Sequence, residues 1–278
     1  MLQILTGVPG SLNCKGIYTR YEKGFIRCSN SFVFFLKGPA YAGAPFACGE
    51  QLKYRATWNF IPVGEASLEV QEMENIEGNP FYHFVASTKC SIFLFSLFYE
   101  LESKIESLVR PNNFVPVRYI AYIKNGKRYR QDTVLYDQGN HRATWKHFRL
   151  GKSLEEHHEE KVMDIPPDVQ DPLSSFYYLR SNLQDKKLEA GDVLSIPVNA
   201  DRKNWEIKIK VLSKETRRFQ GKSRKVLIVE PEAWFQATFF RKGKMIVWLT
   251  DDEKKIPLYI QAKVPFGIAI LSLATKLD

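Results

Sequence analysis

Several groups of residues carry the types and spacing that chemistry uses. His157-His158, set among Glu155, Glu156, Glu159 and Glu160, has the donor types of a metal site. Adjacent residues of a strand point to opposite faces, so the two imidazoles do not converge on one ion. Nor is HHEE the HExxH order with which a helix holds zinc. The pattern reads as a solvated charged edge. Asp251, Asp252 and Glu253 offer carboxylates without an EF-hand pattern; short acidic side chains that bond backbone amides make this stretch a turn. Asp171 and Ser174 are types found in hydrolytic sites, but a helix N-terminus accounts for both, one as cap and one in the first turn. His83, His141 and His147 are too scattered to compose a triad. The sequence therefore predicts no catalytic set, no metal set and no cofactor, and it contains no Gly-rich phosphate loop.

Tyr177, Tyr178 and Arg180 are the more informative group. The planar fork of an arginine grips a phosphate or carboxylate with paired bonds. Here it would serve either an anionic ligand or a salt bridge to a strand carboxylate, and Asp252 is the partner the sequence suggests. Aromatic residues on neighbouring segments complete a candidate ligand-contacting set of Trp58, Phe84, Tyr177, Tyr178, Arg180, Trp248 and Asp252, with Phe81 beside them.

The elements that would position these residues are mostly strands. Leu52, Tyr54, Ala56 and Trp58 alternate with polar residues, the period of a half-buried strand. Ile61-Pro62-Val63-Gly64 reads as a hairpin corner, and Glu77-Gly78-Asn79-Pro80 as a second turn. The apolar run SIFLFSLF, residues 91–98, reads as a short helical crossing, and Tyr99 to Val109 as a strand, with helical spacing as its competitor. Asn125-Gly126 between Pro116–Ile123 and Lys127–Tyr136 is the strongest hairpin signal. Two further strands precede Pro166-Pro167. In QDPLSSFYYLR, Asp171 suits an N-cap and Pro172 the first helical position, and Leu173, Phe176, Tyr177 and Arg180 share a face. Strands resume after Gly191-Asp192 and include Trp234–Phe240, giving about thirteen at the spacing of sandwiches and barrels.

Composition sets the remaining bounds. The net charge of +9 is spread, with +4 contributed by residues 1–44, and no basic block interleaved with aromatics suggests nucleic acid. Of the four cysteines, none stands in a CxxC or zinc spacing; Cys48 and Cys90 either pair after export or remain buried thiols. No run reaches the roughly 18 apolar residues of a spanning helix, so the chain is not expected to be a helical membrane protein. Residues 1–44 lack periodicity and read as a poorly ordered segment. Within them, Ser31–Leu36 followed by Ala40-Tyr41-Ala42 is similar to a degraded signal peptide, with an apolar core shorter than the usual about 7–15 residues. Export, followed by a single β-rich domain over residues 45–278, is the expectation.

A set of landmarks in order carries a family resemblance. They are Gly49-Glu50 with Leu52, Tyr54 and Trp58; Gly64; Gln170-Asp171-Pro172-Leu173-Ser174 with Tyr178-Leu179-Arg180; Gly191-Asp192 with Ile196-Pro197-Val198; Gly221-Lys222; and Val247 to Asp252 followed by Ile256-Pro257. On these the chain resembles domain of unknown function 3108, a family of bacterial exported proteins, from about Phe46 to Leu273; Cys48 stands where a proline-like residue is usual. The resemblance implies a periplasmic or outer-membrane-associated protein. The expected fold is mainly β: a large curved antiparallel sheet or open β-barrel wrapped around one central helix, plus the short helical crossing. The expected role is non-enzymatic binding of a lipid-like or amphipathic ligand in the concave face. An envelope structural or assembly factor that binds protein or glycan partners is the alternative.

Overall fold

The computed structural model describes residues 44–94, 97–151, 155–183, 186–231, 245–264 and 267–277. The signal-like segment and the strand expected at Trp234–Phe240 lie outside these residues. Fifteen strands and one helix follow in order: β1 (Gln51–Trp58), β2 (Ile61–Val70), β3 (Glu74–Ile76), β4 (Asn79–Leu94), β5 (Leu97–Val109), β6 (Pro116–Asn125), β7 (Arg128–Asp137), β8 (Arg142–Leu150), β9 (Glu156–Asp164), α1 (Ser174–Leu183), β10 (Val193–Ala200), β11 (Lys203–Phe219), β12 (Lys222–Pro231), β13 (Met245–Thr250), β14 (Pro257–Val264) and β15 (Gly267–Leu273). The mainly β antiparallel expectation is met.

Three local expectations are corrected. The SIFLFSLF run is not a helical crossing: β4 continues to Leu94, β5 begins at Leu97, and Phe93 pairs with Phe98 in the ladder between them. A continuous apolar run of this length has no period that separates strand from helix, and pairing along the whole length of β4 decides it. The first corner lies at Asn59-Phe60, both at positive φ (47° and 68°), rather than at Pro62 and Gly64. Gly64 instead sits inside β2 where the backbone of β4 approaches closely; a Cβ there would stand 2.1 Å from the Lys89 carbonyl oxygen. The β6–β7 hairpin turns one residue later than the Asn-Gly signal suggests. Asn125 pairs with Arg128, so Gly126 and Lys127 form the loop, and Gly126 takes the positive φ of 57° at the first central position.

The sheet runs β10-β11-β12-β13-β14-β15-β1-β2-β4-β5-β6-β7-β8-β9, with β3 added beside β4, and among the described residues it does not close by strand pairing. One face is buried. Along β1, Leu52, Tyr54 and Ala56 are covered while Lys53 and Arg55 face water, and on β4 Tyr82, Phe84, Ala86, Thr88 and Cys90 are buried. On that face α1 packs Tyr177 flat against Phe84, with ring centroids 3.8 Å apart. Phe46 meets both rings edge-on. Leu173, Leu179 and Leu183 join the same apolar cluster.

The two sheet edges are treated differently. The edge of β10 is covered where the chain passes before the helix: the Gln170 N–H donates to the Pro197 carbonyl and the Asn199 N–H to the Gln170 carbonyl, both at 2.8 Å. All of β9 is exposed except Met163, which is half-buried. Its far end meets the β10–β11 turn through side chains. Asn204 Nδ2 donates to the Asp164 carbonyl at 2.8 Å, and Arg202 reaches Glu159 at 3.4 Å while lying over the Trp145 ring. No described helix is long and apolar enough to cross a membrane.

Candidate functional site

Asp171 begins the helix as its sequence position predicts. Its Oδ1 accepts the N–H groups of Leu173 and Ser174, each at 2.7 Å, which satisfies donors that the first turn leaves open. Its Oδ2 accepts the Ser107 hydroxyl from β5, which ties the helix start to the sheet. The carboxyl is fully buried, and burial raises its pKa to about 6 despite these donors. Burial, with Asp171 adding to it, also holds the phenols of Tyr119 and Tyr136 well above their usual range. These contacts cap the helix and dock its start on the sheet.

Arg180 lies one turn from the helix end and has no exposed side-chain surface. Its Nη1 and Nη2 donate to Glu50 Oε1 and Oε2 at 2.5 and 3.0 Å, Nη2 also to the Pro45 carbonyl, and Nε to the Lys254 carbonyl. Phe46 and Tyr177 lie beside the guanidinium at 5.5 and 5.7 Å. The suggested pairing with Asp252 does not form. Asp252 is exposed and organises its own turn, accepting the Thr250 hydroxyl and the Lys254 and Lys255 N–H groups. Glu50 was the missed partner: it stands 130 residues earlier in the chain, and no local pattern connects it to the helix.

The other candidate residues divide between two places. Phe84, Tyr177 and Arg180 come together in the core, and Tyr178 reaches the same cluster through Phe114, 6.0 Å away. Trp248 alternates with buried Val247 and Leu249, so it stands on the opposite side of β13. There it meets Tyr259 at 4.7 Å and lies under Arg217. Trp58, half-buried, closes β1 opposite Ala269. These seven residues do not line one surface.

A different constellation emerges from the register on the helix-bearing face. One cross-strand row reads Phe84, Ser107, Tyr119, Val134, Trp145, with Ser107 bonded beneath the helix start. The next reads Ala86, Ile105, Ala121, Asp132, His147, and the third Thr88, Ser103, Ile123, Arg130, Arg149, His157. The face is thus apolar under the helix and charged across β7, β8 and β9. Asp132 Oδ1 lies 2.6 Å from His147 Nδ1. A carboxylate only accepts, so Nδ1 carries the proton and Nε2 is the basic nitrogen. Asp132 Oδ2 meets Arg130 Nε at 2.9 Å, and Trp145 stacks on the imidazole at 5.1 Å. Farther along the third row, the hydroxyls of Thr88 and Ser103 are buried and have no hydrogen-bond partner among the described residues. Arg128, Arg130 and Asp132 occupy the parity that continues as buried Val134 and Tyr136. A strand whose covered side turns from apolar to charged was the available signal.

Among the described residues no group of three or more His, Cys, Asp and Glu side chains is placed to hold a metal. Cys48 and Cys90 are both free thiols, and burial pushes the Cys90 thiol up to about 11, a value at which it is not a thiolate nucleophile at neutral pH.

The chain is similar to the crystal structure of a beta-barrel-like protein of domain of unknown function DUF1849 from Brucella abortus. The TM-score is 0.53 at 8% identity, and the match covers 82% of this chain and 96% of that one. At that identity the likeness shows the fold alone. No curated protein matches the chain. The family model described as protein of unknown function (DUF3108) matches residues 53–274, and the chain belongs to that family.

Proposed function

We propose that this is a non-enzymatic exported binding protein whose sheet wraps part-way around α1 and takes a lipid-like or amphipathic molecule on its concave face. The observation that carries this reading is the two-part character of one continuous face. It is apolar from Phe84 through Ile105 and Ala121, and charged at Asp132, His147, Arg130 and Arg149. An amphipathic molecule needs such a surface, since apolar walls with a few placed polar groups are what ligand sites commonly present. The cluster around Phe84, Tyr177 and Arg180 then forms the wall that holds the helix, with the ligand at the end of the sheet away from it. Export, to the periplasm or the outer-membrane surface, rests on the signal-like Ser31–Ala42 stretch.

The test is native mass spectrometry of protein purified gently from its own membrane and periplasmic fractions, followed by organic extraction. The reading predicts a stoichiometric lipid-sized adduct and a mature chain beginning near Gly43. A clean apo mass, with no amphiphile rebinding one-to-one, would overturn it.

A second reading, an envelope assembly factor that binds protein or glycan, is favoured by β9. Among the described residues that strand pairs on one side only, with β8, and it is exposed along nearly its whole length, an edge of the kind that recruits another strand. A stable protein partner cross-linked through β9, with no bound lipid, would favour it over the first.

A further inference from the structure

We infer that the concave face carries a subsite for an uncharged oxygen group of the bound amphiphile, an ester or a hydroxyl, at the cross-strand pair Thr88 and Ser103. This rests on the binding-protein reading above and says which part of the molecule sits deepest. The two residues are direct partners in the β4–β5 ladder. They lie on the covered side of both strands and are 4% and 7% exposed. Neither hydroxyl has a hydrogen-bond partner among the described residues. Folded proteins seldom leave such groups unpaired, since a buried donor or acceptor without a partner carries the full cost of its desolvation. Rotating one hydroxyl toward the other does not remove the deficit: the pair holds two protons, and a bond between them uses one. Ser107, four residues along the same face of β5, shows the satisfied case, donating to Asp171.

Short side chains surround the pair. Ala66 stands opposite Thr88 on β2, Ala86 precedes it by two on β4, and Ala121 on β6 lies diagonally from Ser103. One row farther from the helix, Gly64 faces Cys90 and Cys90 faces Leu101. The floor is thus low and apolar around two polar points, the arrangement that fixes a ligand's orientation. The cations of these strands point the other way: Lys53, Arg55, Lys89, Lys104 and Lys124 are exposed. Arg130, beyond Ile123 in the row, is committed to Asp132. An ionised group would lose its hydration here without gaining a counter-charge. An ester carbonyl accepts from both hydroxyls, and a ligand hydroxyl both donates and accepts. Either leaves the acyl chain to lie against Leu101, Ile105 and Ile123.

The experiment measures one-to-one binding of three probes to the delipidated full chain at about pH 8: 1-monolauroylglycerol, laurate and dodecane. Wild type should hold monolauroylglycerol at least about tenfold more tightly than dodecane, the worth of one or two hydrogen bonds. Thr88→Val and Ser103→Ala each delete one hydroxyl with little change of shape. Each should weaken monolauroylglycerol about five- to tenfold, and the unliganded variants should melt no lower than wild type, because an unpaired buried group has gone. Thr88→Ser keeps the hydroxyl and should keep the preference, which separates the hydrogen bond from packing. Either deletion variant decides the matter alone should the other not fold. A preference unchanged in the variants would overturn the subsite, leave the pair to a buried water and leave the binding-protein reading standing. A clear fall in the unliganded Tm of both deletion variants would show the hydroxyls bonded within the protein and overturn the subsite equally. Laurate bound as tightly as monolauroylglycerol, with the same losses in the variants, would make the group an anion and overturn the uncharged assignment. Absence of binding by all three probes would overturn the binding-protein reading and the subsite with it.

Discussion

Arg180 of the helix and Glu50, the residue before β1, form a two-pronged ion pair with no exposed surface on the arginine side. The guanidinium also bonds the carbonyls of Pro45 and Lys254, so one side chain joins the helix, the entry to β1 and the β13–β14 turn. Its surroundings make it a rivet in the fold.

Removing one member should therefore be severe. Arg180→Met or Glu50→Gln leaves a buried or half-buried charge or its acceptors without a partner, and the loss expected is about 3–5 kcal/mol. Replacing both residues by apolar ones should cost less than the two single changes together. Urea unfolding of the three variants measures it, and additive losses would contradict the pairing.

Asp171 links stability to pH. Its folded pKa of about 6 lies above the ordinary 3.8, and burial is the cause. A raised folded value means that the native state prefers the protonated acid. The contribution is fully present below about pH 4 and is lost as pH rises through about 6. Asp171→Asn retains a good cap and removes the titration. Between pH 4 and 7 wild type should lose about 2 kcal/mol relative to this variant, as read from paired denaturation curves at each pH. Parallel curves would refute it.

His147 should populate the tautomer protonated at Nδ1 when neutral, because Asp132 accepts from that nitrogen. Nitrogen-15 correlation spectra of the imidazole report the tautomer directly. Asp132→Asn offers an amide in place of the carboxylate and should shift the population toward Nε2–H; an unchanged spectrum would argue against the pair.

Gly64→Ala should cost about 1–3 kcal/mol or more, the range for forcing atoms into filled space. The added carbon meets the backbone carbonyl of Lys89, which cannot rotate away as a side chain would. Thermal melting measures it, and an unchanged Tm would mean that β2 and β4 separate there freely.

Much of this fold could be read from alternation alone, because half-buried strands such as Leu52 to Trp58 print their burial on the sequence. The helix was legible through Asp171 and Pro172, since capping is local chemistry. What escaped was set by distance along the chain. Glu50 finds Arg180 across 130 residues, and Arg130 faces Arg149 only once the β7–β8 register is known. The aromatic candidates failed to share one surface for the same reason. A tryptophan reads as apolar in either parity, so Trp248 gives no hint that it stands on the outer side of β13. The apolar run at residues 91–98 was misread because it lacks any period at all.

The order of strands has a kinetic consequence. Most neighbours in the sheet are also neighbours in the chain, so β4 to β9 and β10 to β15 run as two meanders. The exceptions are β2 against β4, between which the chain makes only the short β3, and β1 against β15, where Tyr54 meets Leu273 from the other end of the chain. Local hairpins close quickly, within about 1–10 μs, while long-range pairing must first overcome the entropy of the intervening loop. Folding should then assemble two preformed halves and finish with this one seam. Pulse-labelled hydrogen exchange should find the amides of Asn59 and Ala274, which bond across this seam, protected after those of the β6–β7 hairpin; simultaneous protection would show a single cooperative step instead.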